Sequence, residues 1–338
     1  MTDIKTHILV IRLSAMGDVA ILVPVLEALL KQNPSLKITV LTQPFFTPIF
    51  KNLKNVVVFP VEKKGKHKGF LGLFKLYKEL KKHHYTAIAD VHNVLRSRVL
   101  KLFFFGKNFI QIDKGRKEKK ELISKKNFKQ LKTSHERYAD VFRKLGFKID
   151  LTHPTFPEKG ILPSKIKDYI EVSQHKKIIG IAPFAAHKSK MYSLKKMKTV
   201  VEQLSKEYLI LLFGGKNDIE SLDNLASNNN VLSVAGKLTF SEELDTISNL
   251  DCMLSMDSGN AHLAAMYGVK VITIWGVTHP FAGFAPFNQP RDYAILPDLE
   301  KFSKIPTSIY GNKYPDDYLL AADSISPEKI IKKIKSVL

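Results

Sequence analysis

Ile8-Leu9-Val10-Ile11-Arg12-Leu13-Ser14-Ala15-Met16-Gly17-Asp18 places four aliphatic residues in a row, then a short polar turn, then the apolar stretch Val19 to Leu30. A short continuous apolar run suits a strand buried on both faces, as parallel sheets require. The segment Asp18 to Lys31 suits a helix returning over that strand, and together they form the first half of a β-α-β unit. The turn between them lies at the carboxyl end of a parallel strand, where doubly wound sheets bind ligands.

The same alternation continues outward. Lys37 to Leu41, Val56 to Phe59 and Ala87 to Asp90 read as strands, Phe70 to His83 as a helix, and Phe103 to Ile112 as holding a further strand with a lysine-rich loop behind it. Ser134 to Leu145 reads as a helix ending at Gly146. Around Pro154, Pro157, Gly160 and Pro163 the periodicity breaks, which suits a connecting segment. It then restarts, with strands at Lys177 to Ala182, Leu209 to Phe213, Cys252 to Ser255 and Val271 to Ile274. Helices are expected at Leu194 to Tyr208, Ser241 to Asn249 and Ala261 to Tyr267. Ser326 followed by Pro327 marks the start of a closing helix carrying Ile330, Ile331 and Ile334. The expectation is an α/β protein of two similar halves, residues 1–160 and 161–338, and 338 residues are enough for two domains of ordinary size.

Hydrophobic residues make up 44% of the chain and charged residues 25%, a globular rather than a disordered mixture. The apolar part of the Met1 to Arg12 segment is too short for a signal peptide, and Pro24 and Glu27 interrupt the best apolar run well short of the ~20 residues that span a bilayer. A cytoplasmic protein is therefore expected. Cys252 is the only cysteine, which excludes an internal disulfide and a cysteine-cluster metal site. The net charge is +21, and residues 101–150 hold fifteen Lys or Arg against six Asp or Glu. Such a field attracts nucleic acid, anionic lipid headgroups and phosphorylated sugars alike, and a solvated basic face is the plain alternative.

Several strand ends carry chemistry. At the first, Gly17 permits close backbone approach, and Asp18 can either accept a proton from a sugar hydroxyl or cap the helix as an N-cap. The fingerprint G-x-G-x-x-G is absent, which argues against a dehydrogenase. After the strand at Cys252 comes Asp257-Ser258-Gly259-Asn260-Ala261-His262. Here a helix start offers backbone N–H groups to a pyrophosphate, Ser258 adds a hydroxyl, and Asp257 suits sugar hydroxyls better than phosphate. His262 lies one turn beyond Gly259 and can face the same ligand or serve as a structural histidine. In Ala185-Ala186-His187-Lys188-Ser189-Lys190 the lysines suit phosphate oxygens, or are surface lysines. Gly214-Gly215-Lys216 can accept a base or ribose, or form a plain turn. Beyond Asp90, the residues His92, Arg96 and Arg98 can hold an anionic acceptor such as an acidic sugar, or are ordinary helix-face charges.

Taken together, Ser14-x-Met16-Gly17-Asp18, Asp257-Ser258-Gly259-x-x-His262-Leu263-x-Ala265 with Gly268-Val269-x-Val271, and Trp275-Gly276-x-Thr278-x-Pro280 resemble the ADP-heptose:lipopolysaccharide heptosyltransferases of glycosyltransferase family 9. The resemblance runs in order along nearly the whole chain. It implies a GT-B type fold of two Rossmann-like domains with parallel sheets facing a central cleft, the first binding acceptor and the second binding nucleotide sugar. It also implies an inverting, metal-independent transfer with no cofactor, in which Asp18 is the general base. Lys190, Asp257, Ser258, Gly259 and His262 fall to the donor, together with Ala185, Ala186, Lys216 and Leu238. Ser14, Gly17, His92, Arg96 and Arg98 fall to the acceptor.

The implied partners are an ADP-sugar donor, an anionic lipid-linked oligosaccharide and the anionic inner face of the cytoplasmic membrane, with no nucleic acid. Two departures stand out. Ala185-Ala186 replace hydroxyl residues common in the family, and Tyr192-Ser193 replace a Trp-Pro. A nucleotide-sugar binder or epimerase of the same architecture, without transferase activity, is the alternative.

Overall fold

The computed structural model describes residues 6–173, 177–226 and 228–338. Residues 1–5, the start of the segment read for a leader, lie outside it.

In the first part of the chain β1 (His7–Ile11), β2 (Lys37–Thr42) and β3 (Val56–Pro60) alternate with α1 (Met16–Gln32) and precede α2 (Gly69–Lys81). β4 (Ala87–Asp90), α3 (Leu95–Phe103) and β5 (Asn108–Gln111) follow. These strands form one five-stranded sheet in the order β3-β2-β1-β4-β5, parallel throughout. β1 is therefore a central strand, which is why Ile8 to Ile11 are fully buried. α1 runs on through Pro24, and ten of its residues are buried, so its apolar length is explained by packing rather than by a bilayer.

The lysine-rich stretch expected as a loop is a helix, α4 (Arg116–Ile123). Its one buried side chain, Leu122, packs with Leu131 and Ala282. Two adjacent apolar residues, Leu122 and Ile123, behind a run of charged ones give no periodicity to read, so tertiary contact decides the helix. By packing, residues 115–133 go with the second half of the chain, whereas α5 (Ser134–Lys144) returns to the first and packs on α1. The two compact units are thus Met1–Lys114 with Ser134–Pro157, and Gly115–Thr133 with Glu158–Leu338.

The second unit continues with α6 (Ser164–Glu171), β6 (Ile178–Ala182), α7 (Leu194–Leu204), β7 (Leu209–Leu212), α8 (Ile219–Leu225) and β8 (Val231–Ser233). Then come α9 (Phe240–Ser248), β9 (Cys252–Met256), α10 (Gly259–Ala265), β10 (Lys270–Ile274), β11 (Ala294–Ile295) and α11 (Pro327–Val337). The sheet order is β11-β10-β9-β6-β7-β8, again parallel. Two parallel sheets with crossover helices make this the α/β fold the alternation predicts. Helices α3, α6 and α8 and the short strands β8 and β11 were not expected, because helices of seven to nine residues and strands of two or three are too short for a period to stand out. Ser326 caps α11 as expected, its hydroxyl accepting from the Lys329 N–H.

Candidate active site

In the first unit the chain leaves β1 and turns through Arg12 to Ala15 into α1. Three contacts pin that turn: Gln43 Nε2 donates to the Leu13 carbonyl at 2.6 Å, the Leu13 N–H donates to His92 Nδ1 at 3.3 Å, and Arg12 Nη1 donates to the Val91 carbonyl at 2.8 Å. The N-cap of α1 is Ala15, and Asp18 stands three residues inside the helix start. The alternative that Asp18 is the N-cap is therefore corrected, because α1 begins two residues earlier than the polar turn suggests.

Asp18 Oδ2 meets Arg12 Nη2 at 2.5 Å and also receives the Ala15 N–H at 3.4 Å. Among the described residues Oδ1 carries no hydrogen bond, and the side chain is 33% exposed. Arg12 itself is buried, with its guanidinium 5.6 Å over the Tyr138 ring, and the Tyr138 hydroxyl donates to the Asp18 carbonyl at 3.3 Å. Burial first, and the Asp18 charge as a smaller cause, hold that hydroxyl well above its ordinary pKa, so it stays a neutral donor. The result is a carboxylate with one oxygen anchored and the other open.

His92 is buried, and burial followed by the Arg12, Lys114 and Lys63 charges lowers its pKa to about 3. It is thus a neutral acceptor for Leu13. Of the residues expected at the acceptor, Ser14, Gly17 and His92 gather with Asp18 around this turn. Arg96 donates instead to the His67 carbonyl at 2.9 Å, and Arg98 to Asn93 Oδ1 at 3.0 Å.

In the second unit Lys190 Nζ lies 2.8 Å from Asp257 Oδ2, and Thr278 Oγ1 donates to the same oxygen at 2.7 Å. Oδ1 of Asp257 carries no hydrogen bond among the described residues. Ser258 Oγ is 3.0 Å from Ser255 Oγ, and Gly259 and the buried His262 follow on α10. The Lys190 segment crosses directly over Gly276: the Val277 N–H donates to the Ser189 carbonyl at 3.2 Å, and a Cβ on Gly276 would sit 2.2 Å from that carbonyl oxygen. On the other side Gly311, at φ +81°, would bring a Cβ within 2.7 Å of Lys190 Cγ and Cδ. Ser189 Oγ donates to the Gly311 carbonyl.

Gly276 therefore lies against the backbone of the segment and Gly311 against the lysine stem, and Asp257, itself bonded by Thr278, holds the lysine's end. Ala185 is half-buried and Ala186 exposed in the loop before it. Lys216 is exposed and Leu238 half-buried, and among the described residues no hydrogen bond or ion pair joins Lys216 to the cluster.

Arg12, Tyr138, Thr278, Gly276 and Gly311 were given no role from sequence. Thr278 and Gly276 stand in the quoted Trp275-Gly276-x-Thr278 pattern, so a signal was present for them. Tyr138 and Gly311 depend on contacts distant in the chain, and nothing in the sequence marks Arg12 as the partner of Asp18 six residues on. No group of three or more His, Cys, Asp or Glu able to hold a metal ion is found among the described residues, and no helix there is long and apolar enough to cross a membrane.

The model of glycosyltransferase family 9 (heptosyltransferase) matches residues 73–301. The lipopolysaccharide core heptosyltransferase OpsX of Haemophilus influenzae is 23% identical over 299 residues, spanning 85% of this chain and 83% of its own. Among solved structures, the glycosyl transferase family 9 protein from Veillonella parvula superposes with a TM-score of 0.77 at 19% identity, over 100% of this chain and 98% of that one. The E. coli heptosyltransferase WaaC, solved with ADP-2-deoxy-2-fluoro heptose, gives 0.68 at 16% identity over 98% and 100%. At these identities the two structures speak for the fold.

Proposed function

The chain belongs to glycosyltransferase family 9 (heptosyltransferase) and is a glycosyltransferase, and on that premise we propose that it moves a heptose-like sugar from ADP-heptose to an anionic, lipid-linked acceptor of the lipopolysaccharide inner core. The transfer inverts the anomeric centre, needs no metal, and takes place with the protein held peripherally at the inner face of the cytoplasmic membrane. The names of the relatives support the sugar and the acceptor class: OpsX is a lipopolysaccharide core heptosyltransferase, and WaaC was solved with an ADP-heptose analogue.

The observation that carries the reading is the Asp18 carboxylate, fixed through Oδ2 by Arg12 and open at Oδ1. In the proposed step Oδ1 takes the proton of the acceptor hydroxyl as its oxygen attacks the anomeric carbon. The new C–O bond forms while the bond from that carbon to the phosphate oxygen breaks, and the diphosphate leaves with the electron pair. A single displacement of this kind inverts configuration. Lys190, kept in place by Asp257 and Thr278, supplies a positive charge to the departing diphosphate, and a fixed charge needs no reorganisation as the bond breaks. Asp257 Oδ1 is left to accept from a sugar hydroxyl. Ser258, Gly259 and His262 complete the donor side with Ala185, Ala186, Lys216 and Leu238. Ser14, Gly17, His92, Arg96 and Arg98 complete the acceptor side.

Asp18→Asn tests the assignment. With purified donor and acceptor, kcat is expected to fall by about 10²–10⁴-fold, since positioned proton transfer contributes on that scale, with little change in donor affinity. Full turnover by the variant overturns the base assignment, and an unchanged anomeric configuration in the product overturns the inversion. Loss of turnover on chelator treatment overturns the metal-free step.

A further inference from the structure

α2 and α3 of the first unit lie side by side and leave an apolar ridge in solvent. Phe105 is 95% exposed, Leu71 82%, Leu102 74% and Phe70 64%. They are not scattered. The Phe103 ring meets Phe70 at 5.4 Å and Phe74 at 5.6 Å edge-on and Tyr77 at 5.6 Å at a tilt, which joins the two helices in one aromatic seam. Leu71, Lys75 and Lys78 recur at helical spacing on α2, and Leu95, Arg98 and Leu102 do so on α3, so each helix presents a stripe of mixed apolar and basic side chains. Contiguous exposed apolar surface of this kind marks an interaction site, whereas isolated exposed apolar residues need no explanation.

The charge around the ridge is one-sided. Residues 61–107 contain twelve Lys or Arg against three Asp or Glu. Of those acids Asp90 is buried, and Glu79 is taken by His67 at 3.2 Å and Lys66 at 3.5 Å. The lysines also lie against the rings, with Lys78 Nζ 4.8 Å over Phe74 and Lys81 Nζ 5.9 Å over Tyr77. A lysine stem lying along an apolar surface with its ammonium at the edge is the arrangement that suits a bilayer interface, where rings enter the acyl boundary and ammoniums meet the phosphates.

We propose that the α2–α3 ridge is the membrane-docking surface of this protein, with Phe70, Leu71, Leu102 and Phe105 entering the interface of an anionic bilayer and the surrounding lysines pairing with its headgroups. The inference rests on the membrane-borne acceptor proposed above, and the exposed ridge and the basic charge around it support it. It also moves the docking surface away from the lysines of 115–133, which pack with the second unit.

The experiment is flotation of the full chain with vesicles of phosphatidylethanolamine and phosphatidylglycerol in equal parts, and with vesicles of phosphatidylcholine alone. The wild type is expected on the anionic vesicles and not on the neutral ones. Leu71→Ser with Phe105→Ser is expected to weaken that binding by about tenfold or more, since interfacial partitioning scales with buried apolar area. Lys75→Glu with Lys78→Glu is expected to weaken it about tenfold or more and to flatten its dependence on salt, because each lysine near an anionic surface contributes to the attraction. All these side chains are exposed, and unchanged melting confirms folding. A Leu71→Trp variant supplies a second readout, an emission shift to shorter wavelength when anionic vesicles are added. If the wild type binds and the ridge variants bind equally well, the ridge is not the docking surface, although membrane association stands. If the wild type binds neither vesicle, the membrane partner itself falls, and the ridge then belongs to a protein contact.

Discussion

Lys190 and Asp257 meet through Nζ and Oδ2 at 2.8 Å, with their side chains only 13% and 11% exposed. Exposed ion pairs contribute little to stability, but a sheltered pair is costly to break by removing one member, because the other charge stays behind without compensation. The same geometry has a chemical consequence. One aspartate oxygen is occupied by the lysine and by Thr278, so the lysine has a fixed place while its other N–H groups remain available to an anion.

Lys190→Met is therefore expected to lower stability by about 1–3 kcal/mol, the range for stranding a partly buried charge. Lys190→Met combined with Asp257→Asn should recover part of the loss. Denaturant melts of both singles and the double form a cycle, and purely additive losses would show that the two residues are not coupled.

Gly276→Ala tests the clamp on the lysine segment. The new Cβ would stand 2.2 Å from the Ser189 carbonyl oxygen and 2.9 Å from Lys190 Cα, both backbone atoms, so the segment must move. Overpacking of this kind costs about 1–3 kcal/mol, and displacement of Lys190 should raise the donor KM more than it changes binding to vesicles. A variant with wild-type melting and wild-type donor KM would show that the segment has slack the geometry denies.

Much of this was legible in the chain. The strands β1, β4, β6, β7, β9 and β10 are short and mostly apolar runs, and each was expected close to where it occurs. Asp18, Lys190 and Asp257 stand at or near strand ends, where a parallel sheet collects its chemistry. The partners that orient them were not legible, since Arg12 reaches Tyr138 and Lys190 lies beside Gly311 only after the chain has folded. α4 was hidden for a different reason: its only apolar residues are the adjacent Leu122 and Ile123, and Leu122, its one buried side chain, packs with Ala282. The ridge on α2 and α3 was hidden by the reverse, because exposed phenylalanine and leucine look like core residues in a sequence.

Arg12→Leu should remove the anchor of the proposed base while leaving the Asp18 carboxyl group itself in the chain. Arg12 holds Asp18 Oδ2 at 2.5 Å and the Val91 carbonyl at 2.8 Å, so its loss frees both the carboxylate and the turn. Turnover is expected to fall about tenfold or more, because catalysis depends on the base being held in a productive geometry. Donor affinity, read by thermal shift with the nucleotide diphosphate, should be unchanged. Wild-type turnover in Arg12→Leu would show that the ion pair serves only the fold.

Stability should peak near neutral pH for reasons traceable to three side chains. His92 is lowered from 6.5 to about 3, by burial first and then by Arg12, and His279 is lowered from 6.5 to about 4, by burial first and then by Lys125. Between those folded values and 6.5 the unfolded chain binds more protons than the folded one, so stability from both histidines is full above pH 6.5 and is lost as the pH falls toward 4 and 3. Glu243 has the opposite sign. Burial raises it from 4.5 to about 7, so the folded protein holds the extra proton and stability is lost as the pH rises through that window. Each group contributes a slope of up to about 1.4 kcal/mol per pH unit inside its window. With two histidines against one glutamate, the net slope is positive below pH 6.5 and turns negative just above it. Glu243→Gln should accordingly melt higher than wild type above pH 7. His92→Asn, whose amide oxygen can replace Nδ1 as acceptor for the Leu13 N–H, should flatten the acid limb. Melting temperatures of the three proteins across this range decide the matter, and parallel curves would mean that none of these groups changes its protonation on folding.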